Sequence, residues 1–178
     1  MTSDDSEHRS DGGGWFPPPS QPRKVAGGIR VSARGARPGE TWWARRWFAA
    51  LEAMGLGERL ERGRSYARGG QVLSLEVTLG EVHATVQGTR RTPYETTMRV
   101  GVLTQLEWLN VARVLASRGA YRAALLADEL PEDAEALFAR SGASLFPQLE
   151  DDLELTCTCD DWAVPCKHAA AACFVLGE

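Results

Sequence analysis

The chain has 178 residues and 19.4 kDa, room for one or two small modules, with 20 Lys plus Arg against 24 Asp plus Glu and a formal net charge of -4. That acidic balance gives no support to a generically basic nucleic-acid binder, and no apolar run approaches the eighteen or so residues of a membrane helix. Charge is nevertheless two-ended: eleven basic against four acidic residues from Arg23 to Arg68, and eleven acidic against one basic residue, Arg140, from Asp128 to Asp161.

Met1 to Asp11 is polar and acidic, without the apolar core of a signal peptide, so a cytoplasmic location is expected. Trp15, Phe16 and Pro17 to Pro19 read either as an extended arm that docks on the body or on a partner, or as part of a loosely ordered leader. The leader runs to Gly39 and mixes glycines with Arg23, Lys24, Arg30, Arg34 and Arg37, a composition able to follow a phosphate backbone or simply to link. From Glu40 to Leu60 the spacing of Trp43, Trp47, Leu51 and Met54 predicts one or two helices with a buried face, leaving Arg45 and Arg46 on the wet side.

After the turn expected in GRSYARGG the period changes to two. Leu73, Leu75 and Val77, then Val82, Ala84 and Val86, then Thr96, Met98 and Val100 predict a three-stranded antiparallel sheet with a tight turn at Gly80-Glu81. His83 falls on the sheet surface, and Arg90 and Arg91 in the loop before the third strand are free to meet phosphate or water. Helices return with Thr104 and Glu107 at capping-box spacing, a second helix over about 120–130, and a third opened by Pro131 with Glu132, Asp133 and Glu135 near its start. Nothing in this acidic region forms a catalytic constellation.

Chemistry concentrates at LELTCTCDDWAVPCKHAAAACFVLG, and all four cysteines lie in the last 22 residues, as a local site in a reducing compartment does. Cys157 and Cys159 share one side of an extended strand, six residues turn the chain, and Cys166 and His168 form a second close pair at the start of a helix. Three thiolates and an imidazole suit one structural Zn(2+), although small core residues or a redox switch would also use these side chains. Cys173, five residues past His168, reads as a buried inert thiol.

The C-x-C, six-residue spacer, C-x-H pattern resembles the SWIM zinc finger. The resemblance implies Cys157, Cys159, Cys166 and His168 as ligands. The preceding WWARRWF, GRSYARGG, sheet and acidic helices are similar to bacterial SWIM proteins that accompany Snf-type helicases. The expected architecture is α+β: a three-stranded sheet, an N-terminal aromatic helix, a helical middle and a zinc-bound strand-turn-helix finger. Its expected division is 1–39 leader, 40–150 body and 151–178 finger.

The function implied is a non-enzymatic accessory module that bridges DNA and a Snf-type helicase or ATPase, the alternative being a pure protein-interaction module. Asp151, Asp152, Glu154, Asp160 and Asp161 would repel a DNA backbone, so DNA contact is expected at Arg23, Lys24, Arg30, Arg34, Arg37, Arg45, Arg46, Arg90 and Arg91. Trp162 is the expected apolar anchor for a basic protein partner. Four protein ligands leave no open coordination position, and neither HExxH, HxE nor a GKS or GKT phosphate loop occurs, so neither catalysis nor a small-molecule substrate is expected. The apolar helix closing at Leu176-Gly177-Glu178 suggests a fragment of a longer protein.

Overall fold

The computed structural model describes residues 21–31 and 41–178. Trp15 to Pro19 and two of the arginines named for DNA contact, Arg34 and Arg37, lie outside the described residues. Helix α1 spans Trp42–Ala53 and starts where the Thr41 side chain accepts from the Ala44 N–H at 3.1 Å. Ala44, Trp47 and Leu51 form its buried stripe. Helix α2, Gly57–Arg68, follows a short turn, so most of GRSYARGG is helical rather than a turn; only Gly69 and Gly70 reverse the chain, Gly70 at φ 70°.

Strands β1 (Val72–Thr78), β2 (Glu81–Val86), β3 (Tyr94–Val100) and β4 (Leu153–Cys157) form one antiparallel sheet in the order β1-β2-β3-β4. This corrects the expected three-stranded sheet. The fourth strand joins because Leu155 sits opposite Met98 and Leu153 opposite Val100, extending the apolar face already formed by Val82 and Ala84. The other face is polar: Glu81 accepts from both His83 and Arg99, and Arg99 reaches on to Glu154 at 3.4 Å. His83 thus sits exposed on the sheet surface.

Helix α6, Lys167–Leu176, lies on the apolar face and against α2. From His168 to Phe174 every residue is buried, because alanines at 169–172 let neighbouring backbones approach closely. Opposite them stands Gly63, where a Cβ would come 2.4 Å from the Ala171 nitrogen. The Trp47 indole N–H donates to the Cys173 carbonyl at 3.1 Å, tying α1 to the same helix. Residues 151–178 therefore supply a strand and the central helix of the core that residues 41–100 surround.

A second, smaller cluster holds α3 (Gln105–Ala116), α4 (Gly119–Leu126) and α5 (Ala134–Arg140) together through Val111, Leu115, Tyr121, Leu137, Phe138 and Ala143. The Thr104/Glu107 capping box is formed at the start of α3. This region is fastened to α1 by the Trp42 indole N–H on the Leu130 carbonyl at 2.8 Å and by ion pairs from Arg45 to Glu132 and from Arg46 to Glu135. Among the described residues no helix is long and apolar enough to cross a membrane.

Candidate metal centre

Each half of the centre is positioned by a regular element. Cys157 is the last residue of β4, held by its register opposite Thr96, and Cys159 follows after Thr158, whose N–H and hydroxyl both bond Glu95. The spacer turns with the Asp161 carboxylate accepting from the Ala163 N–H at 3.1 Å, and with a cis peptide between Val164 and Pro165. Cys166 is then the N-cap of α6, its sulfur accepting from the Ala169 N–H, and His168 lies in the first turn.

These elements bring Cys157, Cys159, Cys166 and His168 together with one ligand atom from each within 4.8 Å of all the others. The His168 Nδ1 faces the sulfurs of Cys157 and Cys166 at 3.9 and 3.8 Å. Ligands bound 2.0–2.3 Å from a tetrahedral zinc stand about 3.5–3.8 Å from one another, so the spacing suits that ion. On the far side of the ring, the His168 Nε2 is buried without a hydrogen-bond partner.

The thiols respond strongly to each other. Cys166 is lowered to about 4, chiefly by a hydrogen bond from Cys157, with His168 and the Ala169 N–H adding to the effect. Cys157, as the donor to that thiolate, is pushed well up, and burial raises Cys159. A soft divalent cation bound here would be held by the three sulfurs as thiolates and would displace whatever protons they carry. Cys173 stands apart from the group, fully buried and pushed up to about 12 by desolvation.

The packing around the imidazole is absent from the sequence motif. Tyr94 stacks on His168 with ring centroids 4.3 Å apart, and Tyr66 meets it edge-on at 5.4 Å. Gly88 closes the third side, where a Cβ would lie 2.8 Å from Nε2 and 2.4 Å from the Tyr94 ring. Strand alternation places Tyr94 on the inward face with Thr96 and Met98, but no local signal tells that His168 lies beneath it.

The residues named for nucleic-acid contact separate into groups. Arg23, Lys24 and Arg30 are exposed on an extended segment whose Arg23 N–H donates to the Gly88 carbonyl at 2.9 Å. Gln71 clamps that segment, its side-chain amide donating to the carbonyls of Arg23 and Gln87. Arg90 and Arg91 lie two and three residues beyond Gly88, Arg90 paired with Asp160 and lying over the Tyr94 ring. Arg45 and Arg46 are drawn instead toward α5 by Glu132 and Glu135. Trp162, in the loop between the ligand pairs, is 87% exposed.

The class that this cluster defines is borne out by comparison: the SWIM zinc finger family matches residues 143–177, which contain all four clustered side chains. Residues 143–177 are therefore a SWIM zinc-binding module, and the donor set supports zinc in a structural role. Beyond the finger, the chain is 49% identical over 164 residues, 92% of its length, to the uncharacterized protein Rv2102 of Mycobacterium tuberculosis (strain ATCC 25618 / H37Rv). It spans 59% of that relative's length. No solved structure gives a significant match.

Proposed function

We propose that the chain is a cytoplasmic, non-enzymatic accessory module that binds one structural zinc and bridges DNA to a partner protein, a Snf-type helicase or ATPase being the expected partner. The contact between Arg23 and Gly88 carries the DNA half of this reading. It draws the extended basic segment and the Arg90/Arg91 loop to the same end of the metal centre, where exposed cations can track phosphates. Arg45 and Arg46 carry less of that role, since both are engaged across the α1/α5 contact. Trp162 and the acidic spacer supply the protein-facing side.

Fluorescence anisotropy with labelled duplex DNA between 50 and 200 mM salt tests the DNA half. Replacing Arg23, Lys24 and Arg91 by glutamine should shrink the salt slope by about one per lost phosphate contact while zinc content stays unchanged. Salt-independent binding, or none at low salt, overturns it.

The internal pairing of Arg45, Arg46 and Arg90 favours the second reading, a pure protein-interaction module. It predicts partner capture that is lost on Trp162→Ala, with no DNA binding under any of these conditions.

A further inference from the structure

The sheet has two outer strands, and β4 is the one beside the metal centre. Its hydrogen bonding leaves one side open. Gly101 N–H bonds the Asp152 carbonyl at 3.1 Å and Thr158 N–H bonds the Glu95 carbonyl at 3.0 Å, so the even-numbered residues of β4 are the ones that bond β3. The N–H and C=O of Leu155, like the C=O of Leu153, point away from the sheet. The Leu153 N–H is taken by the Glu150 carbonyl, and among the described residues no strand pairs with this edge.

Beside the open edge runs a groove of about 420 Å³ lined by Met54, Leu56, Arg59, Leu153, Leu155 and Val164. Arg59 is fixed within it, its guanidinium donating to the Val164 carbonyl at 2.7 Å, while Val164 remains 53% exposed. The groove is thus apolar along Met54, Leu56, Leu153, Leu155 and Val164, polar at Arg59 and Glu150, and bordered by an unpaired hydrogen-bonding edge, which suits a peptide that adds a strand.

Charge selects the occupant. Glu150 lines the groove together with Arg59, whose guanidinium is turned onto the Val164 carbonyl, and Asp151 adds a second exposed carboxylate beside it in the turn Glu150–Asp152 that leads into β4. Farther along, Glu154 and Asp160 are matched by Arg99 and Arg90, so the unmatched negative charge sits at the start of the strand. A second copy paired antiparallel about Leu155 would set Glu150 opposite Asp160, carboxylate against carboxylate.

We propose that the outer edge of β4 is a docking site for an extended segment of a partner protein that alternates apolar and basic residues. Its apolar side chains enter the groove, its backbone bonds Leu155, and its basic residues meet Glu150 and Asp151. This rests on the partner-binding half of the function proposed above and gives that half a place and a binding mode.

The test uses the full zinc-loaded chain and a fluorescein-labelled heptapeptide of alternating lysine and valine, read by anisotropy at low salt. Binding should fall at least about tenfold with Glu150→Lys/Asp151→Lys, and should vanish when alternate peptide nitrogens are methylated, which removes the backbone donors but keeps the charge. Exchange of the Leu155 amide should slow when the peptide binds. Equal binding of the methylated peptide, or of one alternating glutamate and valine, overturns the proposal. Self-association in sedimentation that the double charge reversal alters would make a second copy the occupant instead. Binding seen only after removal of residues 1–20 would assign the edge to the chain's own N-terminal segment. Zinc content and DNA binding are read on the same preparations, so failure at β4 is distinguishable from failure of the bridging role itself.

Discussion

The two hydrophobic clusters are built on different principles. Around α6, side chains from α1, α2 and all four strands converge on a helix buried on every side, and the ligand pairs at its start are fixed by β4 and the helix N-terminus. Around α3 to α5, six buried residues hold three amphipathic helices that leave Leu106, Trp108, Leu109 and Leu126 exposed. The first region gains its order from a metal site and close backbone contact, the second from caps and ion pairs to its neighbour. Damage in one should therefore cost far more than damage in the other, and should reach the zinc only from the first.

The sharpest break in that contrast is His168→Ala. It removes one of the four clustered side chains and empties the space between Tyr66 and Tyr94, so bound zinc in elemental analysis should fall toward none. Stability should drop by on the order of 5 kcal/mol in thermal unfolding. A variant that keeps its zinc and its melting temperature would place the tie elsewhere.

Gly63→Val tests close contact without touching a ligand. Its side chain collides with the α6 backbone at Ala170 and Ala171, and the expected loss is about 3 kcal/mol, about 6–12 °C in melting temperature. Thr104→Ala probes the other region: loss of the capping box should cost about 1 kcal/mol and speed amide exchange in α3 while zinc content holds. Zinc loss from Thr104→Ala would erase the distinction between the regions.

The smallest effect lies at the junction before β4. The N–H groups of Gln148 and Leu149 hold the Asp152 carboxylate below the usual range. A depressed folded value contributes stability above the unfolded aspartate value of about 3.9, and that contribution is lost as pH falls through the folded value. Wild type should therefore melt slightly above Asp152→Asn at pH 6, with the gap closing toward pH 2.

Local spacing carried the metal site further than the architecture. Cys157, Cys159, Cys166 and His168 can be read together because strand and helix periodicity position each pair on its own. The alternation of Leu153 and Leu155 is equally local, but which sheet they join depends on Met98 and Val100, more than fifty residues earlier. The same distance hides the pairing of Arg45 and Arg46 with α5, and the approach of Gly88 and Tyr94 to His168. GRSYARGG misleads for another reason: Gly63 reads as a helix breaker, yet close contact with α6 requires a residue without a side chain there.

The burial of α6 also has a consequence during synthesis. Every other described element precedes it in the chain, so a polypeptide still emerging from the ribosome holds β1 to β4 and α2 without the helix that covers them. Val82, Ala84, Met98 and Leu155 then present a continuous wet apolar sheet face until the alanines of 169–172 arrive. Cys166 and His168 stand at the start of that same helix, so one segment of the chain both covers the apolar face and completes the ligand set.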